Sequence, residues 1–96
     1  GYPEALLVLG QAAEGAGMWE DAADAWRQLS EMGARGRPYL SRYATALVKL
    51  GDQYFGLKRY KDAADAFDRA LVSDRTAVDA AEVTKKRDRA RELAGK

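Results

Sequence analysis

Asp21-Ala22-Ala23-Asp24-Ala25-Trp26 returns 41 residues later as Asp62-Ala63-Ala64-Asp65-Ala66-Phe67, with five identities in six and one aromatic exchanged for another. In the same register Leu6 meets Leu47, Leu9 meets Leu50, Gly10 meets Gly51 and Trp19 meets Tyr60. An Ala-rich chain produces Ala matches by chance, but not readily Leu, Leu-Gly and two aromatics in one register. Self-similarity at a fixed period of this size marks an architecture in which one supersecondary unit is stacked on its copy.

Each copy reads as two short helices. Pro3 suits a first helical turn, where its missing N–H costs nothing; a helix over about 4–14 then stops at Gly15-Ala16-Gly17, and a second over about 19–32 ends at Gly33-Ala34-Arg35-Gly36. In the second copy Pro38 opens a helix running to about residue 57, with Leu40, Tyr43, Leu47, Leu50, Tyr54 and Leu57 on one stripe at three- and four-residue spacing. A fourth helix follows over about 60–72, with Ala63, Phe67, Ala70 and Leu71 inward. Ser73-Asp74 ends it, and Thr76-Ala77-Val78-Asp79 resembles a capping box opening a fifth helix to about residue 93.

Composition agrees with an all-α chain of 96 residues forming one domain. Nineteen of the apolar residues are Ala, there is no Ile, and Val and Thr number only five and three, so β-branched residues for a sheet are scarce. Ala, Leu, Glu, Lys and Arg, which lose least on entering a helix, dominate. The absence of Cys excludes disulfides, thiolate nucleophiles and cysteine zinc sites; the absence of His removes the commonest acid/base and metal-binding side chain. The longest apolar run, Ala5-Leu6-Leu7-Val8-Leu9, is far too short to span a membrane. No signal-peptide pattern opens the chain, which begins at Gly1 rather than Met, as an excised or processed piece would; a cytoplasmic setting is the default expectation. Richness in Ala, Arg and Asp without Ile or Asn suggests a GC-rich bacterial genome.

Leu6-x2-Leu9-Gly10-x2-Ala13, Trp19, Ala22-x3-Trp26 and Leu29 resemble a tetratricopeptide repeat. So, more closely, do Leu47-x2-Leu50-Gly51-x2-Tyr54, Tyr60, Ala63-x3-Phe67 and Ala70. The resemblance implies antiparallel helix-turn-helix units in a right-handed superhelix of about five helices. Repeat one would cover about 3–36, repeat two about 38–74, and a capping helix about 76–94. The period of 41 exceeds the family's usual 34 by seven residues, placed within about Glu31–Tyr43, and the closing Pro is missing from both copies. Small residues, Gly10 with Ala22 and Gly51 with Ala63, would let the helices approach. Leu9, Trp26, Leu50, Tyr54 and Phe67 would fill the space beside them.

The same resemblance implies a noncatalytic adaptor whose first helices line a concave face for a peptide or partner helix. Carried over by position, that face is Glu4, Leu7, Gln11 and Glu14 on the first helix and Thr45, Val48, Asp52 and Phe55 on the third. Val48, Asp52 and Phe55 lie beside the core stripe rather than within it, which makes Phe55 an anchor unless the fifth helix covers it. The family's carboxylate clamp of Lys, Arg and Asn is not expected, because the chain has no Asn and carries Leu7, Gln11, Val48 and Lys49 at the matching positions. An apolar segment with basic flanks would suit the acids Glu4, Glu14 and Asp52.

Tyr39, Leu40 and Tyr43 extend the third helix's stripe by about two turns. They are core if Leu29 and Met32 cover them, and a self-association surface, hence a homo-oligomer, if exposed. Charge is polarised: residues 1–34 carry a net −5 and residues 35–96 a net +6, with the run Lys85-Lys86-Arg87-Asp88-Arg89-Ala90-Arg91 the most basic. A nucleic-acid contact through that run is the alternative from another class, although no aromatic interleaves to stack bases and Glu82, Asp88 and Glu92 dilute it. No catalytic site, metal site or cofactor is expected: Ser30, Ser41 and Ser73 stand beside no base, Gly15-x-Gly17 and Gly33-x2-Gly36 follow no strand, and Asp21/Asp24 and Asp62/Asp65 repeat on solvent-facing positions.

Overall fold

The computed structural model describes residues 2–96, so Gly1 lies outside it. Five helices follow one another: α1 (Tyr2–Gly15), α2 (Trp19–Ser30), α3 (Tyr39–Gly56), α4 (Tyr60–Ser73) and α5 (Ala80–Ala94). Short 3₁₀ turns cover Gly33–Gly36 between α2 and α3, and Arg75–Ala77 between α4 and α5. Each helix packs mainly on its neighbours in sequence, and the short connections make those neighbours antiparallel. The result is an elongated slab of 46 × 25 × 17 Å.

The two hairpins repeat down to their backbone hydrogen bonds. In the first turn the Met18 amide donates to the Ala13 carbonyl at 2.8 Å; in the second the Arg59 amide donates to the Tyr54 carbonyl at 2.9 Å. Gly17 and Lys58 occupy the same place in these turns and both adopt a left-handed backbone, φ 72° and 63°. Glycine takes that conformation without strain, whereas a lysine Cβ crowds the neighbouring carbonyl.

Inside each hairpin a glycine faces a ring. A Cβ on Gly10 would lie 2.8 Å from Trp26, and one on Gly51 would overlap the Phe67 ring. The glycines therefore make room for the aromatics themselves, beyond the pairing with Ala22 and Ala63 that the sequence suggests. Ala22, Ala63, Trp26 and Phe67 are fully buried. Gly36 has a related role: a Cβ there would collide with the Leu29 carbonyl oxygen and the Ser30 backbone, so the 3₁₀ turn lies directly on the end of α2.

The core forms two clusters, one around Trp26, Leu29, Leu47 and Leu50, the other around Phe67, Leu71, Val83 and Ala90. Tyr39 stacks on Trp26 at 5.9 Å and 9° between planes, and Arg42 sits 4.8 Å over the Trp26 ring. Met32, Tyr39 and Tyr43 pack on the first cluster beside Leu29, and Leu40 is half-buried. Tyr39 and Tyr43 thus pack half-buried beside Leu29 and Met32.

Three expectations need correction. Leu9 does not fill the core but is 55% exposed, because no helix lies on that side of α1, whereas its counterpart Leu50 is covered by α2 and 9% exposed. Leu57, placed on the third helix's stripe, lies past the end of α3 and is exposed. The fifth helix starts at Ala80 rather than near Thr76. The Asp79 carboxylate accepts the Glu82 amide at 3.2 Å as its N-cap, while Asp74 binds Thr76 and holds the preceding 3₁₀ turn.

Two expectations follow for thermal unfolding. Gly51→Ala should cost about 1–3 kcal/mol through overpacking against Phe67, whereas Gly56→Ala, where a Cβ meets nothing within 4 Å, should cost nothing. Lys58→Gly should stabilise the fold by up to about 1 kcal/mol by relieving the left-handed lysine. A Gly51→Ala midpoint equal to the parent's would contradict the ring-contact assignment.

Candidate functional site

Helix α3 is long enough to present one face to the core and a second, beside it, to α5. Its four candidate residues come together along that seam. Thr45 and Val48 line a hollow of about 160 Å³ with Val78, Glu82 and Val83. Asp52 and Phe55 line another of about 320 Å³ with Phe67, Lys85, Lys86 and Arg89. Lys86 borders both hollows and donates to the Asp52 carboxylate at 3.0 Å, so an ion pair from α5 to α3 stands between them.

Phe55 is half-buried. It meets Tyr60 edge-on, 5.1 Å between centroids and 73° between planes, and packs on the second cluster, which includes Phe67, Val83 and Ala90. The fifth helix thus covers part of the ring, and the remainder is accessible from the larger hollow. On α1, Leu7 packs half-buried on the first cluster, as Val48 does, while Glu4 and Gln11 are exposed and Glu14 is half-buried. These four occupy the positions matching Thr45, Val48, Asp52 and Phe55.

Electrostatics along the seam differ from the acidic face expected from Glu4, Glu14 and Asp52. Lys86 neutralises Asp52, and Lys85 and Arg89 add positive charge at the rim of the larger hollow. Arg89 pairs with Glu92 at 3.2 Å. Away from the seam, Arg87 pairs with Asp68 of α4 at 3.0 Å and with Asp88, and the Asp68 hydrogen bond chiefly raises its pKa further. Arg91 also approaches Asp68, at 3.6 Å. The basic run is thus largely engaged in holding α5 to α3 and α4.

Val78 was missed by sequence reasoning, and Lys85, Lys86 and Arg89, singled out there only as part of the basic run, line the hollows from α5. One signal pointed to them. Asp52 and Lys86 are 34 residues apart, so α5 stands where the first helix of a third unit would, despite lacking the Leu-Gly pattern.

Three of the four carboxylates in the exposed Asp pairs of α2 and α4 meet arginines: Asp24 with Arg27 at 2.7 Å, Asp62 with Arg59 at 2.7 Å and Asp65 with Arg69 at 3.2 Å. Arg59 also lies 4.5 Å over the Tyr54 ring. Burial, followed by the nearby Glu20 carboxylate, raises the Tyr54 hydroxyl above its usual pKa. Among the described residues no helix is long and apolar enough to cross a membrane.

Antiparallel helical hairpins, stacked in register with their first helices on one side, define a helical-repeat protein. Residues 44–77, most of α3 through the turn after α4, match the family model of the tetratricopeptide repeat. The 41-residue offset carries that repeat back onto residues 3–36 and leaves 37–43 as the seven additional residues. They include the first turns of α3, from which Tyr39 and Arg42 reach Trp26. Comparisons with curated proteins and with solved structures returned no match. Repeats of this family are in general noncatalytic protein–protein interaction modules.

The 3₁₀ turn that precedes α5 is held by one carboxylate. Hydrogen bonds from the Thr76 hydroxyl, at 2.6 Å, and amide, at 3.1 Å, hold the Asp74 carboxyl below its usual range. A carboxyl depressed in the folded state stabilises it above the unfolded pKa of about 3.9, and that contribution is lost as pH falls through the folded value. An NMR titration should place the Asp74 midpoint below about 3.9, with the Thr76 amide shifting in parallel. A midpoint at or above that value would remove the carboxylate from its holding role.

Proposed function

We propose that the protein is a noncatalytic adaptor that holds a segment of another protein along its concave face. The anchor side chain sits on Phe55, in the larger hollow between α3 and α5. The observation that carries this reading is the grouping of Thr45, Val48, Asp52 and Phe55 along one seam, with two hollows divided by the Lys86–Asp52 pair. An apolar floor of Phe55 and Phe67 selects an aliphatic or aromatic anchor, because burying it returns about 1.5–3 kcal/mol for a side chain of that size.

Charge sets the direction of the segment. Glu4 and Glu14 favour basic residues over α1, and Lys85, which has no carboxylate partner among the described residues, favours an acidic residue beside the anchor over α5. An extended segment basic at one end and acidic at the other therefore replaces the uniformly basic flanks anticipated from the sequence. Protein is favoured over nucleic acid as the ligand because Lys86, Arg87, Arg89 and Arg91 are already paired with carboxylates. Counterion release, the source of nonspecific nucleic-acid affinity, needs cations free to meet phosphates.

Fluorescence anisotropy with a panel of apolar peptides bearing charged ends tests this reading. Phe55→Ala should weaken the best peptide about tenfold or more, and Lys85→Glu should weaken selectively those peptides whose acidic end lies beside the anchor. Unchanged affinity in both variants would sink the proposal. No electrophoretic shift of nucleic acid is expected at low salt; a shift lost on replacing Lys85, Lys86 and Arg87 by Ala would favour the other reading.

A further inference from the structure

The chain has ten arginines, and their partners divide them into two groups. Every arginine of α2, α4 and α5, and Arg59 just before α4, meets a carboxylate at between 2.7 and 3.6 Å. The other four, Arg35, Arg37, Arg42 and Arg75, are exposed and meet none among the described residues. All four lie at the end of the slab where α2 and α4 stop and α3 and α5 start. Arg35 and Arg37 are in the connection to α3, Arg42 is near the start of that helix, and Arg75 is in the 3₁₀ turn before α5. Residues 32–51 contain no acid. The acids of the two connections are already engaged: Glu31 by Arg27, Asp74 by Thr76, and Asp79 as the cap of α5. Helix α3 has no acid in its first turn, so its dipole adds to the same positive potential.

The edge is ordered before anything binds it. The Arg42 guanidinium sits 4.8 Å over the Trp26 ring, on which Tyr39 also stacks, and its N–H groups reach no acceptor among the described residues. A cation over an indole gains about 0.5–1 kcal/mol at an exposed site. That contact anchors the side chain and leaves its planar fork of donors open to a bidentate acceptor. Arg35 and Arg37 stand on either side of Gly36, whose backbone is pressed on the end of α2, and Pro38 fixes the next residue. Groups held in place in advance lose less freedom on binding.

Open guanidiniums without local acids are complementary to carboxylates brought from elsewhere. A hairpin stacked before α1 or after α5 would not cover them, because this end lies across the direction in which the hairpins succeed one another. A second copy is a poor source. Its α2 acids Asp24 and Glu31 bind Arg27, and Glu14, Glu20 and Asp21 lie at the opposite end, where the next hairpin's turn carries the exposed Lys58 and Lys61. Nucleic acid is disfavoured because no open ring stands beside the cations to stack a base: Tyr39 lies on Trp26, and Tyr43 packs on the first cluster. We infer that this arginine edge docks an acidic segment of a partner protein, one carboxylate on the Arg42 fork and others on Arg35 and Arg37. The surface is separate from the α3–α5 seam and goes beyond the reading given for it.

Two labelled peptides test the inference on the intact chain, one alternating Glu with Gly and the other Gln with Gly. The Glu peptide should bind saturably and the Gln peptide should not. Its affinity should fall as salt is raised past about 0.1 M, where the Debye length is about 10 Å. NMR shift changes should centre on residues 35–42 and 75–76. Arg42→Gln, and separately the joint change Arg35→Gln with Arg37→Gln, should each weaken binding about tenfold. Arg42→Lys should weaken it too, since an ammonium does not reproduce the fork. The joint variant should keep the parent's unfolding midpoint, because both side chains are exposed. Lys61→Gln, Lys85→Glu and Phe55→Ala should leave affinity for the Glu peptide unchanged. Full affinity in the joint variant, or an equal loss in Lys61→Gln, would reduce the effect to net charge and overturn the inference; loss in Lys85→Glu alone would move the peptide to the seam and do the same. Tighter binding of a single-stranded oligonucleotide of equal charge would assign the edge to nucleic acid, and a concentration-dependent dimer lost in the joint variant would assign it to a second copy; either result overturns it.

Discussion

Contact between a helical glycine and an aromatic ring on the next helix fixes the spacing within both hairpins. Gly10 meets the ring of Trp26 and Gly51 that of Phe67, each so closely that a single methyl group has no room. Because the backbone of one helix touches the ring directly, the other helix must lie at one distance and rotation, and the ring is buried completely. Truncating such a ring typically costs about 3–5 kcal/mol, a large share of the stability of a chain this size. The orientation of α3 on α4, and hence the second face that α3 turns toward α5, follows from this contact.

The two hairpins share these contacts but not their surroundings. Trp26 is larger than Phe67 and carries an indole N–H that is buried without a hydrogen-bond partner. An unsatisfied buried donor of this kind costs about 1–3 kcal/mol. Tyr39 and Arg42 lie on the same ring, one stacked and one as a cation over its face. Both come from the seven residues that lengthen the second unit, so the additional segment and the larger ring in the first unit form one packing arrangement. The Gly36 contact with the end of α2 belongs to it, since it turns the chain back so that α3 can begin about one turn early.

What the sequence made legible is what repeats. The five helices, the ends of α1 through α4 and the inward Ala and Phe positions of α4 follow from spacing alone, because each depends on residues within one hairpin. What it hid depends on neighbours. Leu9 and Leu50 are the same residue in the same motif, and only the presence of α2 beside one of them separates exposed from buried. Thr76-x2-Asp79 and Asp79-x2-Glu82 both have the form of a helix start, and the choice between them rests on Asp74 capturing Thr76. The charge of the seam was hidden for the same reason: Asp52 is an acid in the sequence and half of a neutral pair once α5 is in place.

Helix α5 contributes one wall of the seam while being the helix with the thinnest apolar anchorage, Val83 and Ala90 being its only buried residues among those described. The ion pairs that tie it to α3 and α4, Lys86–Asp52 and Arg87–Asp68, are partly solvated, and pairs of that kind contribute about 0–1 kcal/mol each. Opening of α5 is consequently a low-cost local unfolding of the array, and proteins do open in such units below their global stability. A segment bound across the seam would touch Phe55 on α3 and Lys85 or Arg89 on α5 together, adding the apolar contact that α5 lacks. Binding there and the ordering of α5 are in that case one equilibrium, linked by the rule that a ligand stabilises the state it selects.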